Sequence, residues 1–499
     1  MMRSASWIAS DELSRLMDPS LRRSIYSLML VAAAGMMVAR VVNVEFLYEP
    51  SLYKAYPKRN WPSEKPAPQP SFGSNDRARW ATVKAIVEDE TYVIGRRSGF
   101  PSKNKPYTDT GVLFQPGFGS VDVVLDPEDQ TFYSTKPPLL TEIAAGEYWI
   151  LHHVFKKNIS EHRWETVVPI LLMTNVLPLL IALWLLSRLF EWYGKSDWGR
   201  LFVFATACFG TFLPTFASTL NNHVPAACCV MYALYAMLAP VRKFRSTEIG
   251  VAGSLESLRD PVRLLQVGLF TGFAASMDLP AAALGGIAAL LVLRSSWKGL
   301  LLFLPAFAIP IAVQTFINYQ MVDTWKPIYS KFGTEWYEYI DSHWAKRKLA
   351  NPEGIDFANE SKDVYAFHLL FGHHGLFSLS PVWLIALVGM GMSFSRELLA
   401  KLLHYAAFVI LLVVVVFYIL KTNNYGGWTS GPRWFFWLTP LFLLTLLPAA
   451  DWLGRWKVGR VFAYLCLAIS AFSATYPWAN PWRHPWIYQW CEYMDILKY

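Results

Sequence analysis

The sequence predicts an all-α polytopic membrane protein of about eleven transmembrane helices, with extracytoplasmic loops that carry short amphipathic helices and a β-hairpin. Composition is the first ground: 54% of the 499 residues are hydrophobic and only 16% are charged, where a soluble protein carries roughly 25% charged residues. Such a chain cannot cover the water-facing surface of several soluble domains. The second is a series of apolar runs near the ~20 residues that a spanning helix needs. The third is the placement of Lys and Arg, which gather on one set of short loops, as cytoplasmic loops do. That placement accounts for the net charge of +8 without nucleic acid as a partner. Of the five cysteines, Cys208, Cys228, Cys229 and Cys466 sit in apolar runs and Cys491 stands alone, so neither a disulfide framework nor zinc spacing follows.

Residues 1–24 are polar and longer than a signal-peptide n-region. They read as a cytoplasmic N-terminus before a retained first helix, 25–46. Residues 47–166 form a large extracytoplasmic loop, and 167–317 hold helices two to seven. A second extracytoplasmic loop spans 318–375, helices eight to eleven fill 376–475, and 476–499 is a Trp-rich extracytoplasmic tail. With Met1 inside, Arg188, Lys195, Arg200, Arg242, Lys243, Arg245, Arg259, Arg263, Arg455, Lys457 and Arg460 are cytoplasmic. The opposite short loops, Asn221–His223 and Asp278–Pro280, have neither Lys nor Arg. This predicts a multi-pass protein of the cytoplasmic or inner membrane, with its site on the extracytoplasmic face.

Function is expected in the long loops. In the first, Pro57–Pro70 is Pro and Lys rich and reads as extended. Arg77–Ile94 has helical spacing, with Trp80, Val83, Val87 and Tyr92 on an apolar face suited to a membrane interface. Gly111–Tyr133 alternates around Pro116-Gly117 and Asp126-Pro127, a hairpin signal. Pro137–Phe155 reads as a second amphipathic helix, entered through proline. Neither a Walker loop nor GxGxxG nor HExxH occurs.

The candidate residues are polar groups at the outer membrane edge. Glu88-Asp89-Glu90 is the densest acidic cluster; in a partly dry cleft such acids repel and one becomes a base, whereas in water they form a hydrated patch. Lys136 follows Tyr133 and precedes a rigid diproline. It can hold a phosphate near lipid headgroups or act as an ordinary interfacial anchor. Arg433 ends a glycine-rich outer loop, Asn424–Arg433, where its guanidinium can fork onto an anionic oxygen. His223 and Asp278 are polar groups at helix ends, as ready to cap or sit satisfied in a core as to bind.

Three stretches in order carry a resemblance: Asp89-Glu90-Thr91-Tyr92 after the first helix, Tyr133-Ser134-Thr135-Lys136-Pro137-Pro138 later in the same loop, and Gly431-Pro432-Arg433 in a late outer loop. This order resembles the integral-membrane glycosyltransferases of the GT-C class, especially the relatives of lipid A aminoarabinose transferases and protein O-mannosyltransferases. The likeness implies a polyprenyl-phosphate-linked sugar donor and an extracytoplasmic acceptor, which is a glycolipid, protein or polysaccharide. It implies Asp89 and Glu90 as the catalytic acids, with Asp89 as base, and Lys136 as the phosphate-binding cation. Arg433 is added as a second phosphate contact, with Tyr92, Tyr133, His223 and Asp278 as further substrate-binding candidates.

The residue types suit that chemistry. Displacing a sugar from a phosphate needs a base for the acceptor and cations for the leaving phosphate, and direct displacement inverts the anomeric centre. A monophosphate leaves with Lys and Arg alone, so no cofactor or metal is obligatory, although paired acids have the donors for a divalent cation. The competing classes are a flippase or transporter of lipid-linked sugar and a non-catalytic scaffold. Transporters place ionisable groups near the bilayer centre; here Arg40 and Asp278 lie close to the ends of their segments.

Overall fold

The computed structural model describes residues 17–45, 68–71, 73–99, 107–240, 251–349, 354–392 and 395–497. The chain is a polytopic α-helical membrane protein, with one small sheet among the described residues. Among the described residues, seven helices are long and apolar enough to cross a membrane: Pro19–Val41, Arg163–Tyr193, Asp197–Phe216, Trp297–Val322, Leu398–Lys421, Arg433–Leu453 and Lys457–Thr475. The other four expected segments fall on shorter helices, His223–Leu238, Pro261–Met277, Ala282–Ser295 and the pair Leu376–Leu379 and Val382–Met390. The break at Asp278 has a local cause: its backbone is extended, and a 3-10 turn over Leu279–Ala281, carrying Pro280, starts the next helix.

Helix packing follows from small residues. A Cβ on Gly268 would lie 2.5 Å from the Phe303 carbonyl, and one on Gly272 would lie 2.3 Å from that of Phe307. The Pro261–Met277 helix therefore approaches its neighbour backbone to backbone, as small-residue faces in membranes do. The Arg433–Leu453 helix is the hub, with 89% of its apolar window buried, against 22% for Trp297–Val322 at the periphery. At the far end of the first helix Arg22 forks onto Glu191 (2.6 Å) and Asp197 (2.5 Å), tying three helices together.

The described residues of the 47–166 stretch pack together. Its Ser74–Glu88 helix is buried on most sides, Ala78, Arg79, Trp80, Ala81, Thr82, Val83 and Ala85 among them. It is thus a packed element rather than a helix resting on the membrane interface. Four antiparallel strands follow, β1 (Gly95–Ser98), β2 (Thr108–Thr110), β3 (Val123–Leu125) and β4 (Thr131–Ser134), in the order β2-β1-β4-β3. The expected hairpin is β3–β4, closed at Asp126-Pro127 by the Gln130 amide donating to Asp126 O at 3.0 Å. It is shorter than the alternating stretch, because Val112–Phe114 winds into a 3-10 turn. The second amphipathic helix is Pro138–His153, with Pro at its first turn. Residues 57–67 of the proline-rich stretch, and Arg242, Lys243 and Arg245, lie outside the described residues.

Candidate active site

The hairpin places an acid against a lysine. The Thr135 amide and hydroxyl both donate to Asp122 O, at 3.0 and 3.1 Å, so the open ends of β3 and β4 are clamped together. Lys136 comes next, and its Nζ donates to Asp122 Oδ1 at 2.6 Å. Pro137 follows, which holds Lys136 in extended backbone and sets the entry of the Pro138–His153 helix. Burial pushes the Lys136 ammonium down to about 8, against the opposing pull of Asp122. Burial alone would raise the Asp122 carboxyl, but Lys136, Arg433 and Arg79 outweigh it and hold the group below its usual range.

A second polar layer joins the Ser74–Glu88 helix to the helix ends. Arg79 donates to Asn75 Oδ1 (2.5 Å) and to Asn222 Oδ1 (2.6 Å). Asn222 Nδ2 in turn donates to Met277 O (2.6 Å) and Asp278 Oδ1 (3.0 Å). His223 Nδ1 lies 2.8 Å from Asp278 Oδ2, and its Nε2 lies 3.3 Å from Arg433 Nη1. With Asp278 accepting at Nδ1–H and Arg433 donating to Nε2, this is a neutral imidazole. Arg433 is itself fixed by Nε and Nη2 donating to Gly426 O (3.1 and 2.8 Å), with its guanidinium 5.3 Å from the Trp482 ring centre. Gly426 has φ 96°, a left-handed conformation that turns its carbonyl toward that fork. Asp76, one residue from the cavity-lining Asn75 and Arg77, is pushed up to about 7 by burial.

Of these groups, Asn75, Asp122, Lys136, Asn222, His223, Asp278 and Arg433 line one cavity of about 1250 Å3. Arg77, Lys136, Lys346, Lys421 and Arg433 bring five cations to it, and Asp122, Asp278 and Asp356 bring three acids. Its other wall is apolar. Val413, Val414, Phe417 and Tyr418 come from the spanning helix Leu398–Lys421, Leu279 and Pro280 from the 3-10 turn, and Ala283 from the helix that follows it. Val413 and Phe417, on the candidate spanning helix, are 55% and 48% exposed, and Leu279, in the 3-10 turn before the Ala282–Ser295 helix, is 60% exposed, so this side of the cavity is open and apolar. A cationic floor under an apolar slot suits a phosphate carried on a hydrocarbon chain.

The structure brings together Lys136, Arg433, His223 and Asp278 from the sequence reading. It does not bring Asp89, Glu90, Tyr92 or Tyr133 to the cavity. Asp89 and Glu90 are exposed at the C-terminal end of the Ser74–Glu88 helix, whose N-terminal end lines the cavity. At 1.5 Å per residue that is about 18 Å from Arg77. The carboxylate that faces Lys136 is Asp122, not the expected Asp89. Glu88 is engaged locally, accepting from Lys84, Tyr148 and Asn158. Tyr133 is buried in the sheet, and Tyr92 is turned toward Glu142. Sequence reasoning missed Asp122, Asn75, Arg77, Asn222 and Asp356. Nor do Asp89 and Glu90 join a third ligand: among the described residues the one group of three close His, Cys, Asp or Glu donors is Glu360, His368 and His373.

The chain is similar to the crystal structure of ArnT from Cupriavidus metallidurans bound to undecaprenyl phosphate, at 13% identity and a TM-score of 0.48, over 89% of this chain and 63% of that one. It is also similar to the apo oligosaccharyltransferase of Archaeoglobus fulgidus (13% identity, TM-score 0.43, 91% of this chain and 55% of that one). A third similar structure is archaeal AglB from the same organism with an inhibitory peptide and a dolichol-phosphate (10%, TM-score 0.45, 92% and 56%). This chain thus spans less than two thirds of the length of each. No protein-family model and no curated protein matches the sequence. Likenesses of this size leave function to be read from the cavity itself.

Proposed function

We propose that the protein is a GT-C-class membrane glycosyltransferase that moves a sugar from a polyprenyl-phosphate-linked donor to an extracytoplasmic acceptor. The observation that carries this reading is the pairing of Lys136 and Arg433 in one cavity with an apolar wall from a spanning helix. On this reading the phosphate sits between Lys136 and Arg433, and the prenyl chain runs out past Val413 and Phe417 into the bilayer. On this reading the cavity opens on the extracytoplasmic face, which the positive-inside pattern of Lys and Arg supports.

The chemistry then divides among named groups. Asp122 orients Lys136 and keeps it charged. As Arg433 turns its Nη1 from His223 toward the phosphate, His223 Nε2 becomes free to accept the proton of an acceptor hydroxyl, and Asp278 at Nδ1 stabilises the imidazolium. The acceptor oxygen forms a bond to the anomeric carbon as the anomeric carbon–oxygen bond breaks. Its electron pair leaves with the phosphate, whose charge Lys136 and Arg433 neutralise. Single displacement inverts the anomeric centre. Trp344, Trp428 and Trp482 also line the cavity and add apolar surface around the reacting carbon.

The test is turnover by purified protein in nanodiscs given polyprenyl-phosphate sugars and acceptor fractions, scored as release of polyprenyl phosphate together with glycosylated product. Loss of both in His223→Gln and Asp278→Asn, with thermal stability retained, supports the assignment. Donor that crosses the bilayer uncleaved supports a flippase instead and overturns the reading.

A further inference from the structure

Outside the cavity lining, four histidines from two distant segments pack with Tyr425 and Tyr488. The rings of His368 and His373 stack at 4.0 Å, His373 and His374 lie 4.7 Å apart, His374 and His484 5.8 Å, and His484 stacks on Tyr488 at 4.0 Å. His373 and His374 are each 1% exposed. Burying imidazoles is costly unless their polar nitrogens are satisfied, and both His368 Nδ1 and His374 Nε2 are buried without a hydrogen-bond partner among the described residues. An apolar core gains nothing from this composition; a cation does.

The donors are arranged for one. Glu360, His368 and His373 each offer a ligand atom, all within 4.8 Å of one another. Tetrahedral ligation at ~2.1 Å sets donors about 3.4 Å apart, so a small inward rotation of Glu360 and His368 completes a His, His, carboxylate set. The surrounding groups orient these ligands as metal sites require. The Tyr425 hydroxyl donates to Glu360 Oε2, and His373 Nδ1 faces His374 Nδ1 at 2.5 Å, one giving a hydrogen to the other. A Cβ at Gly372 would lie 2.2 Å from His368 Nδ1, so only glycine leaves that ring room.

We propose that Glu360, His368 and His373 form a divalent-cation site of zinc type that pins the loop bearing Tyr425. Two imidazoles and a carboxylate with a fourth position open are ligands zinc accepts readily. The site ties the second long loop to Tyr425, and the adjacent Gly426 carbonyl is the one that holds Arg433. The cation therefore acts as a positioning element for the phosphate seat. That consequence rests on the function proposed above, whereas the binding itself does not.

The test uses the full chain in detergent, stripped of metal. Titration with Co2+ is expected to give one equivalent bound per chain, with the visible bands of a four-coordinate ion, discharged by one equivalent of Zn2+. His373→Ala and Glu360→Gln should each weaken Zn2+ binding at least tenfold, and Tyr425→Phe by roughly tenfold, as loss of an orienting partner does. If His373→Ala fails to fold, the wild-type cobalt spectrum and a Zn2+-dependent rise in Tm, absent in Glu360→Gln, decide the question. No cobalt bands in the wild type, or equal Zn2+ binding by wild type and Glu360→Gln, overturns the site. Bound zinc whose removal leaves sugar transfer unchanged overturns its link to Arg433. A protein that binds one zinc but transfers no sugar from any donor overturns the glycosyltransferase reading and leaves the metal site standing.

Discussion

Replacing Lys136 by Met separates a phosphate seat from a structural ion pair. The 2.6 Å contact with Asp122 has side chains only 14% and 18% exposed, so the single variant leaves a poorly solvated carboxylate without its closest cation. Breaking such a pair costs about 3 kcal/mol or more of stability when fully buried, and somewhat less here because solvent reaches part of it. A lost charge-assisted hydrogen bond to a phosphate costs a further ~1.5 to 3 kcal/mol in transition-state binding, or about 10 to 150-fold in kcat/KM. The double variant Lys136→Met/Asp122→Asn removes the orphaned charge and should recover most of the Tm. It should not recover turnover, because the cation is still missing. The assay is initial-rate release of polyprenyl phosphate alongside a thermal unfolding scan on the same preparations. A double variant whose kcat/KM lies within twofold of wild type would refute the phosphate role. Parallel recovery of Tm and turnover would reduce Lys136 to a scaffold residue.

Other expectations come from the same geometry. Because burial sets Lys136 at about 8, kcat/KM for donor should fall as pH rises through about 8, and Asp122→Asn should move that limb to lower pH, since Asp122 helps hold the proton. Asp89→Asn and Glu90→Gln should alter turnover less than twofold, both residues being exposed and about 18 Å along the helix from the cavity. Arg433→Lys keeps a charge but loses the fork on Gly426 O, so turnover should drop ~10-fold or more. Asp76 has a folded pKa raised to about 7 against ~3.9 unfolded. Its stabilising contribution is complete below about 3.9 and lost as pH rises through about 7. Asp76→Asn should therefore gain Tm relative to wild type on going from pH 5 to pH 8 in a thermal scan.

Apolar runs, hairpin chemistry and the proline-led helix were legible because each is a local signal. The membrane class and the β3–β4 turn at Asp126-Pro127 follow from neighbours in sequence. Strands β1 and β2 left no such signal, since Gly95-Arg96-Arg97-Ser98 and Thr108-Asp109-Thr110 carry no apolar alternation; Arg97 and Asp109 join across them as an ion pair instead. The site divides the same way. Lys136 stood out beside its diproline and Arg433 beside its glycines, each marked by its own backbone. Asp89 and Glu90 stood out because they form a dense acidic cluster, yet density of like charge is what hydrated surfaces tolerate. Asp122, isolated between Val121 and Val123, drew no notice. Extending the observed hairpin register by one pair sets it opposite Thr135, beside Lys136, so the correct hairpin boundary would have found it. Asn222 and Asp356 reach the cavity through tertiary contacts that no local spacing encodes.

The central claim is that Lys136 and Arg433 jointly receive a lipid-linked phosphate, and the position of that phosphate tests it most directly. Cryo-electron microscopy of the protein in nanodiscs with polyprenyl phosphate should place the phosphorus between the Lys136 ammonium and the Arg433 guanidinium, with the prenyl chain leaving along Val413 and Phe417. A phosphate resolved elsewhere, near the Asp89 end of the Ser74–Glu88 helix or on the opposite membrane face, would contradict it.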